Sequence, residues 1–213
     1  MGACFGFFMG SFEVSSNLCG RARHYLPIIP SLMATYFTAD THFGHKNIIK
    51  YTKRPFANVA EMDATLIANW NATVAPNDDV YHLGDFSLTS VARTREIIDQ
   101  LNGRIHLIKG NHESAALACA DQFEWVKDYH ELVLPDTDAH RGQRYLMLFH
   151  YAMRVWNGSH HGTFHLYGHS HGELPELEDQ RSLDVGVDVW GFTPVSYERV
   201  REVLLGRDWV RPF

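Results

Sequence analysis

Seven side chains able to bind a divalent metal ion are spread along the chain, each in a stretch that follows an apolar run. Tyr36-Phe37-Thr38-Ala39 leads into Asp40-Thr41-His42, and Val80-Tyr81-His82-Leu83 leads into Gly84-Asp85. The run from Ile105 to Ile108 precedes Gly110-Asn111-His112-Glu113, and Tyr145 to Phe149 precedes His150. Thr163 to Tyr167 precedes Gly168-His169-Ser170-His171, and Asp184-Val185-Gly186-Val187-Asp188 is a candidate sixth member. A scattered His or Asp means little. Repetition of strand followed by ligand is how a fold gathers distant residues at one sheet edge, in loops beyond the strand carboxyl ends.

The chemistry open to such a set is that of paired cations. Two divalent ions held ~3.5–4 Å apart need a bridging carboxylate and mixed nitrogen and oxygen ligands. Aspartate, histidine and one amide suit manganese, iron, zinc, nickel or cobalt, and the lack of cysteine ligands disfavours a structural zinc site. Asp40 and His42 lie two apart just past a strand, so both can reach one ion. Asp85 is the natural bridge, and Gly84 and Gly110 let the backbone come close without a Cβ.

The elements that must position these residues can be read from periodicity. Asn58 with Glu61 resembles a capping box, and Val59, Met62, Leu66 and Trp70 recur at helical spacing, which predicts a helix ending near Thr73. Asp79–Leu83 reads as a strand, Ser90–Leu101 as a helix closed by Asn102-Gly103, and Ile105–Ile108 as a further strand. With Tyr36–Ala39 this makes a β-α-β-α-β first half, which favours parallel pairing. The second half is strand-rich (Glu131–Leu134, Tyr145–Phe149, Thr163–Tyr167, Ser182–Gly186) before a helix over Ser196–Leu205.

At 213 residues, with 45% apolar and 21% charged side chains, one globular domain is expected. Residues 1–32 carry none of the ligand stretches and read as a loosely ordered N-terminal extension, with Met33 as the natural start and 33–213 as the domain. The net charge of −6 offers no global attraction to nucleic acid or anionic membrane. Three cysteines without paired spacing point to reduced thiols and a cytoplasmic location, and no apolar run approaches the ~20 residues of a membrane span.

Taken in order, D-x-H, G-D, G-N-H-[DE], H and G-H-x-H resemble the calcineurin-like metallophosphoesterase family. The run Asp40-Thr41-His42-Phe43-Gly44-His45 is similar to a small bacterial and phage-type subgroup. The resemblance covers the chain from Met33 and implies an α/β (α+β) fold, a four-layer αββα sandwich of two mixed β-sheets flanked by helices in a single domain. It implies one ion on Asp40, His42, Asp85 and His171, and a second on Asp85, Asn111, His150 and His169. Manganese is the foremost expectation. His112 would bind no metal and would serve the leaving group beside Asn111. The activity implied is hydrolysis of a phosphomonoester or phosphodiester, by in-line attack of a hydroxide that two ions generate. One departure stands out: many members carry an acid shortly after the bridging Asp to support the catalytic His, whereas Asp85 is followed by Phe86-Ser87-Leu88-Thr89. Glu113 is the candidate substitute.

His45 and Arg54 are candidate substrate contacts, the first beside His42, the second able to clamp a phosphate. His24, His106, His130 and His140 read as surface, and Asp184 and Asp188 as the end of a strand and its turn. Lys46, Lys50, Lys53 and Arg54 form the only dense basic cluster near the site, which favours a phosphorylated small molecule or nucleotide over duplex nucleic acid. Two other classes compete: a non-catalytic metal-binding module that keeps the fold, and a His-rich storage protein. Loss of ligands would mark the first, but all are present. The second leaves Asn111 and the glycines without a purpose.

Overall fold

A computed structural model describes residues 33–212, so the expected extension over residues 1–32 lies outside the described residues. The elements in chain order are β1 (Thr35–Thr38), α1 (Ile48–Tyr51), α2 (Val59–Thr73), β2 (Asp79–His82), α3 (Val91–Ile98), β3 (Arg104–Ile108), α4 (Ser114–Leu117), β4 (Trp125–Lys127), β5 (Tyr129–Pro135), β6 (Gln143–Phe149), β7 (Phe164–Tyr167), β8 (Ser182–Asp184), β9 (Val195–Ser196) and α5 (Tyr197–Leu205). They form two mixed sheets with flanking helices in a single α/β domain.

The first sheet has the order β4-β3-β2-β1-β9, parallel except for antiparallel β9. The second has the order β5-β6-β7-β8, with β5–β6 antiparallel and the other pairs parallel. Alternation along each strand builds two cores. Phe37, Tyr81, Leu83 and Ile108 from the first sheet meet Leu146, Leu148, Phe164, Leu166 and Leu183 from the second, with Val200 and Leu204 of α5 joining them. Their opposite-facing neighbours Val80, Ile105 and Leu107 pack on Met62, Leu66 and Trp70 of α2 and Ile97 of α3.

Local signals hold where they are strong. The Asn58 side chain accepts from Glu61 N at 3.0 Å, and Ser90 and Ser196 cap α3 and α5 in the same way. The reciprocal bond of the Glu61 carboxylate goes to Ala57 N. Helix α3 ends at Ile98, earlier than the expected Leu101, because Gln100 and Leu101 donate to Ile97 and Ile98 in tighter turns. His106 and His130 are half-buried, not surface residues: both rings stack on Tyr81, and His106 reaches Asp79 at 2.9 Å. His140 is exposed as expected, and His24 lies outside the described residues.

Candidate metal centre and cleft

The loops after β1 and β2 are zipped together: Asp40 N donates to Gly84 O at 2.9 Å, and His42 N to Asp85 O at 3.0 Å. Strands β3, β6 and β7 deliver Asn111, His150 and His169 to the same edge. The Asp40 carboxylate accepts from His169 N, and that of Asp85 from His112 N, each at 2.8 Å. Four of the five ligand stretches are thus joined in pairs by backbone-to-carboxylate bonds, and the fifth is tied in by Gly168 N donating to His150 O at 3.0 Å.

The backbone carries the imprint of this convergence. Eight described non-glycine residues have positive φ, and five of them are Asp40, His42, Asp85, His169 and His171. A left-handed residue with a Cβ costs about 1–2 kcal/mol, and such strain collects where side chains must be aimed at a common point. Gly84, at φ +97°, goes further: a Cβ there would lie 2.5 Å from His150 Nδ1 and 2.7 Å from Gly110 Cα.

Two sets of potential ligand atoms result. Asp40, His42 and His171 place theirs within 4.8 Å of one another, as do Asp85, His150 and His169. Asp85 also stands between the sets: Oδ2 is 3.5 Å from His42 Nε2, and Oδ1 is 3.7 Å from His150 Nε2. Asp40 Oδ1 and His42 Nε2 are buried without a hydrogen-bond partner. Burial pushes the Asp40 carboxyl well above the usual carboxylate range, helped by the charges of Asp184 and Asp85. Burial pushes His42 down to about 2, with His171 and Arg54 adding to the effect. An unmatched buried acid beside an unmatched neutral imidazole is a donor set that a divalent cation completes, so these residues fit a metal ion.

The histidines are oriented for this. His150 Nδ1 lies 2.7 Å from Leu83 O and donates to it, leaving Nε2 to face Asn111 Oδ1 at 3.1 Å, two acceptors that a shared cation would satisfy. His171 Nδ1 donates to Asp188 Oδ2 at 2.7 Å, which leaves its Nε2 free for a metal.

Asp188, expected to finish a strand and its turn, is the hydrogen-bond partner that orients His171. It is held in turn by Arg54, whose Nε and Nη2 donate to its two oxygens at 2.8 and 2.7 Å. Arg54 also donates to the carbonyls of Thr41 and Asp40 and to Met62 Sδ. Its side chain is fully buried, with the guanidinium taken up by Asp188 and by the carbonyls of the loop after β1. Asp184 likewise does more than end a strand, accepting from Gly172 N and Gly186 N beside Asp40. Glu113, the expected support for His112, accepts instead from Phe86 N at 2.9 Å and so holds the Asp85 loop. Burial pushes its carboxyl up to about 7.

The two ligand sets open onto a cleft of about 720 Å³. His42, His45, Asp85, Asn111, His112, His169 and His171 all line it. Asn111 and His112 are exposed to it. The rings of His45 and His112 lie 5.3 and 5.9 Å from that of His42, so both stand beside the first ligand set.

No family model matches the chain. The uncharacterized protein MJ1445 of Methanocaldococcus jannaschii is 34% identical over 181 residues, covering 82% of this chain and 93% of that protein. This chain belongs to that protein's family. The gene 66 protein of Mycobacterium phage L5 is 28% identical over 182 residues, covering 74% of this chain and 87% of that protein. The fold is shared with a protein of unknown function, AQ665 from Aquifex aeolicus, at a TM-score of 0.60 and 20% identity, over 81% of this chain and all of that one. In this family member no described helix is long and apolar enough to cross a membrane.

Proposed function

We propose that the protein is a calcineurin-like metallophosphoesterase hydrolysing a phosphoester of a small molecule or nucleotide at a centre of two divalent ions, with manganese foremost. The observation that carries the reading is the placement of Asp85, one oxygen toward His42 of the first candidate ligand set and the other toward His150 of its own. Asp40, His42, Asp85 and His171 would hold one ion; Asp85, Asn111, His150 and His169 the other. When bound, such ions lower the pKa of water enough to provide hydroxide near neutral pH, and they neutralise charge on the phosphoryl oxygens.

The chain's own residues supply the rest. Asn111 and His112 face the cleft where the phosphoryl group would sit, and they can donate to its equatorial oxygens. His112 N donates to Asp85 Oδ1, which anchors the His112 backbone beside the centre. Hydrolysis forms one P–O bond to the oxygen of water and breaks the P–O bond to the leaving group. The leaving oxygen takes a proton, which His112 donates as general acid. The buried free thiol of Cys119 accords with a cytoplasmic protein.

The test is turnover of p-nitrophenyl phosphate and bis-p-nitrophenyl phosphate by protein stripped of metal and reloaded with manganese. Metal-dependent release of p-nitrophenolate, lost in Asp85→Ala, supports the reading. Binding of metal without turnover of either ester or of any cyclic nucleotide would assign the protein to the non-catalytic class.

A further inference from the structure

Beyond the metal-facing groups, the cleft has an unequal lining. One wall carries Ile48, Tyr51, Thr52 and Leu88, from α1 and the segment after β2, next to His45. Tyr51 is 71% exposed and Leu88 38% exposed, and the Tyr51 ring meets the edge of His45 at 6.2 Å. An exposed aromatic and an exposed leucine beside a polar centre leave apolar surface in water that a bound ligand would cover. The lining also includes Ser170 and the exposed Glu173.

Equally informative is what the lining lacks. Among the described residues it contains no lysine or arginine. Arg54 is turned inward, and Lys46, Lys50 and Lys53, exposed on the segment that carries α1, are not part of the lining. A nucleic-acid strand or a polyphosphate presents several phosphates in a row and is met by cationic side chains along its track. Here the only fixed charge besides the ligands and histidines is the negative Glu173, which repels a second phosphate.

Resting on the reading of this site as a phosphoesterase, we infer that its substrate carries a single phosphoryl unit esterified to an aromatic-bearing alcohol, with the ring seated on Tyr51 and Leu88. The side of the cleft fixes which half of the ester this is. The apolar wall adjoins His45, and the His45 and His112 rings lie 6.5 Å apart, so the aromatic group is on the side where His112 serves the departing oxygen. Tyr51 is thus a specificity residue for the leaving group, binding by stacking and contributing nothing to the reacting phosphorus.

The experiment compares benzyl and ethyl esters of the same phosphoryl group, as monoesters and as methyl diesters, with the manganese-loaded wild type, Tyr51→Ala and Tyr51→Phe. A short oligonucleotide and a nucleoside triphosphate complete the panel. The wild type should favour benzyl over ethyl in kcat/KM, and Tyr51→Ala should lower that ratio about 10-fold, chiefly through KM. Tyr51→Phe should keep it, because the ring and not the hydroxyl makes the contact. The same ratio in wild type and Tyr51→Ala overturns the inference while leaving the phosphoesterase reading intact, as does a preference for the oligonucleotide or the triphosphate. Absence of turnover on every ester overturns both.

Discussion

His171 and Asp188 are joined by a hydrogen bond of 2.7 Å from the ring Nδ1 to the carboxylate Oδ2, and both oxygens of that carboxylate also accept from the buried guanidinium of Arg54. The bond fixes the tautomer of His171 and turns Nε2 toward the Asp40–His42 set. Burial alone would raise the Asp188 pKa, but the bonds from His171 and Arg54 outweigh it and hold the carboxyl below its ordinary value.

Removing either support should therefore be felt at the metal. Asp188→Asn and Arg54→Gln are expected to weaken metal binding at the first site by about 10- to 100-fold in calorimetric titration. Arg54→Gln should also destabilise the fold by about 3–5 kcal/mol in denaturant unfolding, since it leaves the half-buried Asp188 carboxylate with His171 as its one remaining side-chain partner. Arg54→Lys should rescue little, because an ammonium cannot span both carboxylate oxygens. Wild-type affinity in both variants would show that the relay has no bearing on His171.

His112→Ala should leave metal content unchanged while lowering kcat by about 100- to 10,000-fold for an ester with a poor leaving group. The loss should shrink for p-nitrophenolate, which departs without a proton. Equal losses across leaving groups would reassign His112 to charge stabilisation on the phosphoryl oxygens, and loss of a metal would reassign it to the ligand set.

Gly84→Ala combines a left-handed φ with a Cβ that meets His150 Nδ1 and the Gly110 backbone. A loss of at least about 2 kcal/mol in unfolding free energy is expected, together with weaker binding of the second ion as His150 is displaced from Leu83. An unchanged melting temperature would show that the loop after β2 yields without strain.

His165, away from the metal centre, offers a pH prediction. Its ring is fully buried and satisfied, Nδ1 donating to Met147 O and Nε2 accepting from Met153 N, and burial pushes its pKa down to about 4. Above pH 6.5 both folded and unfolded states hold this ring neutral. As pH falls from 6.5 toward 4 the unfolded chain takes up a proton that the folded one refuses, so this residue withdraws on the order of 3 kcal/mol of stability. The ring nitrogens in an NMR titration of folded protein should stay neutral down to about pH 5. Titration near the ordinary value would place the ring in water.

The site was legible in the sequence to the extent that each ligand announces itself locally. Asp40, Asp85, Asn111, His150 and His169 all follow a strand, and a strand of four or five apolar residues can be read from its own composition. Asp188 could not be read that way, because its meaning comes from Arg54, 134 residues distant, and from a guanidinium that looks like a loop charge until its burial is known. The short strands β4 and β9 escaped for a related reason: Trp125–Lys127 and Val195–Ser196 are extended because they pair with β3 and β1, not because of their own propensities. In the basic cluster, spacing along the chain does not say that Arg54 is buried while Lys46, Lys50 and Lys53 are exposed.

The central claim is that Asp85 joins two metal sites into one centre. Its most direct test is metal analysis of manganese-reconstituted wild type and Asp85→Ala, with circular dichroism to verify folding. The wild type should approach two equivalents per chain, and Asp85→Ala should fall to one or fewer because both ions lose a shared ligand. A wild-type value fixed at one equivalent, unchanged by Asp85→Ala, would contradict the account.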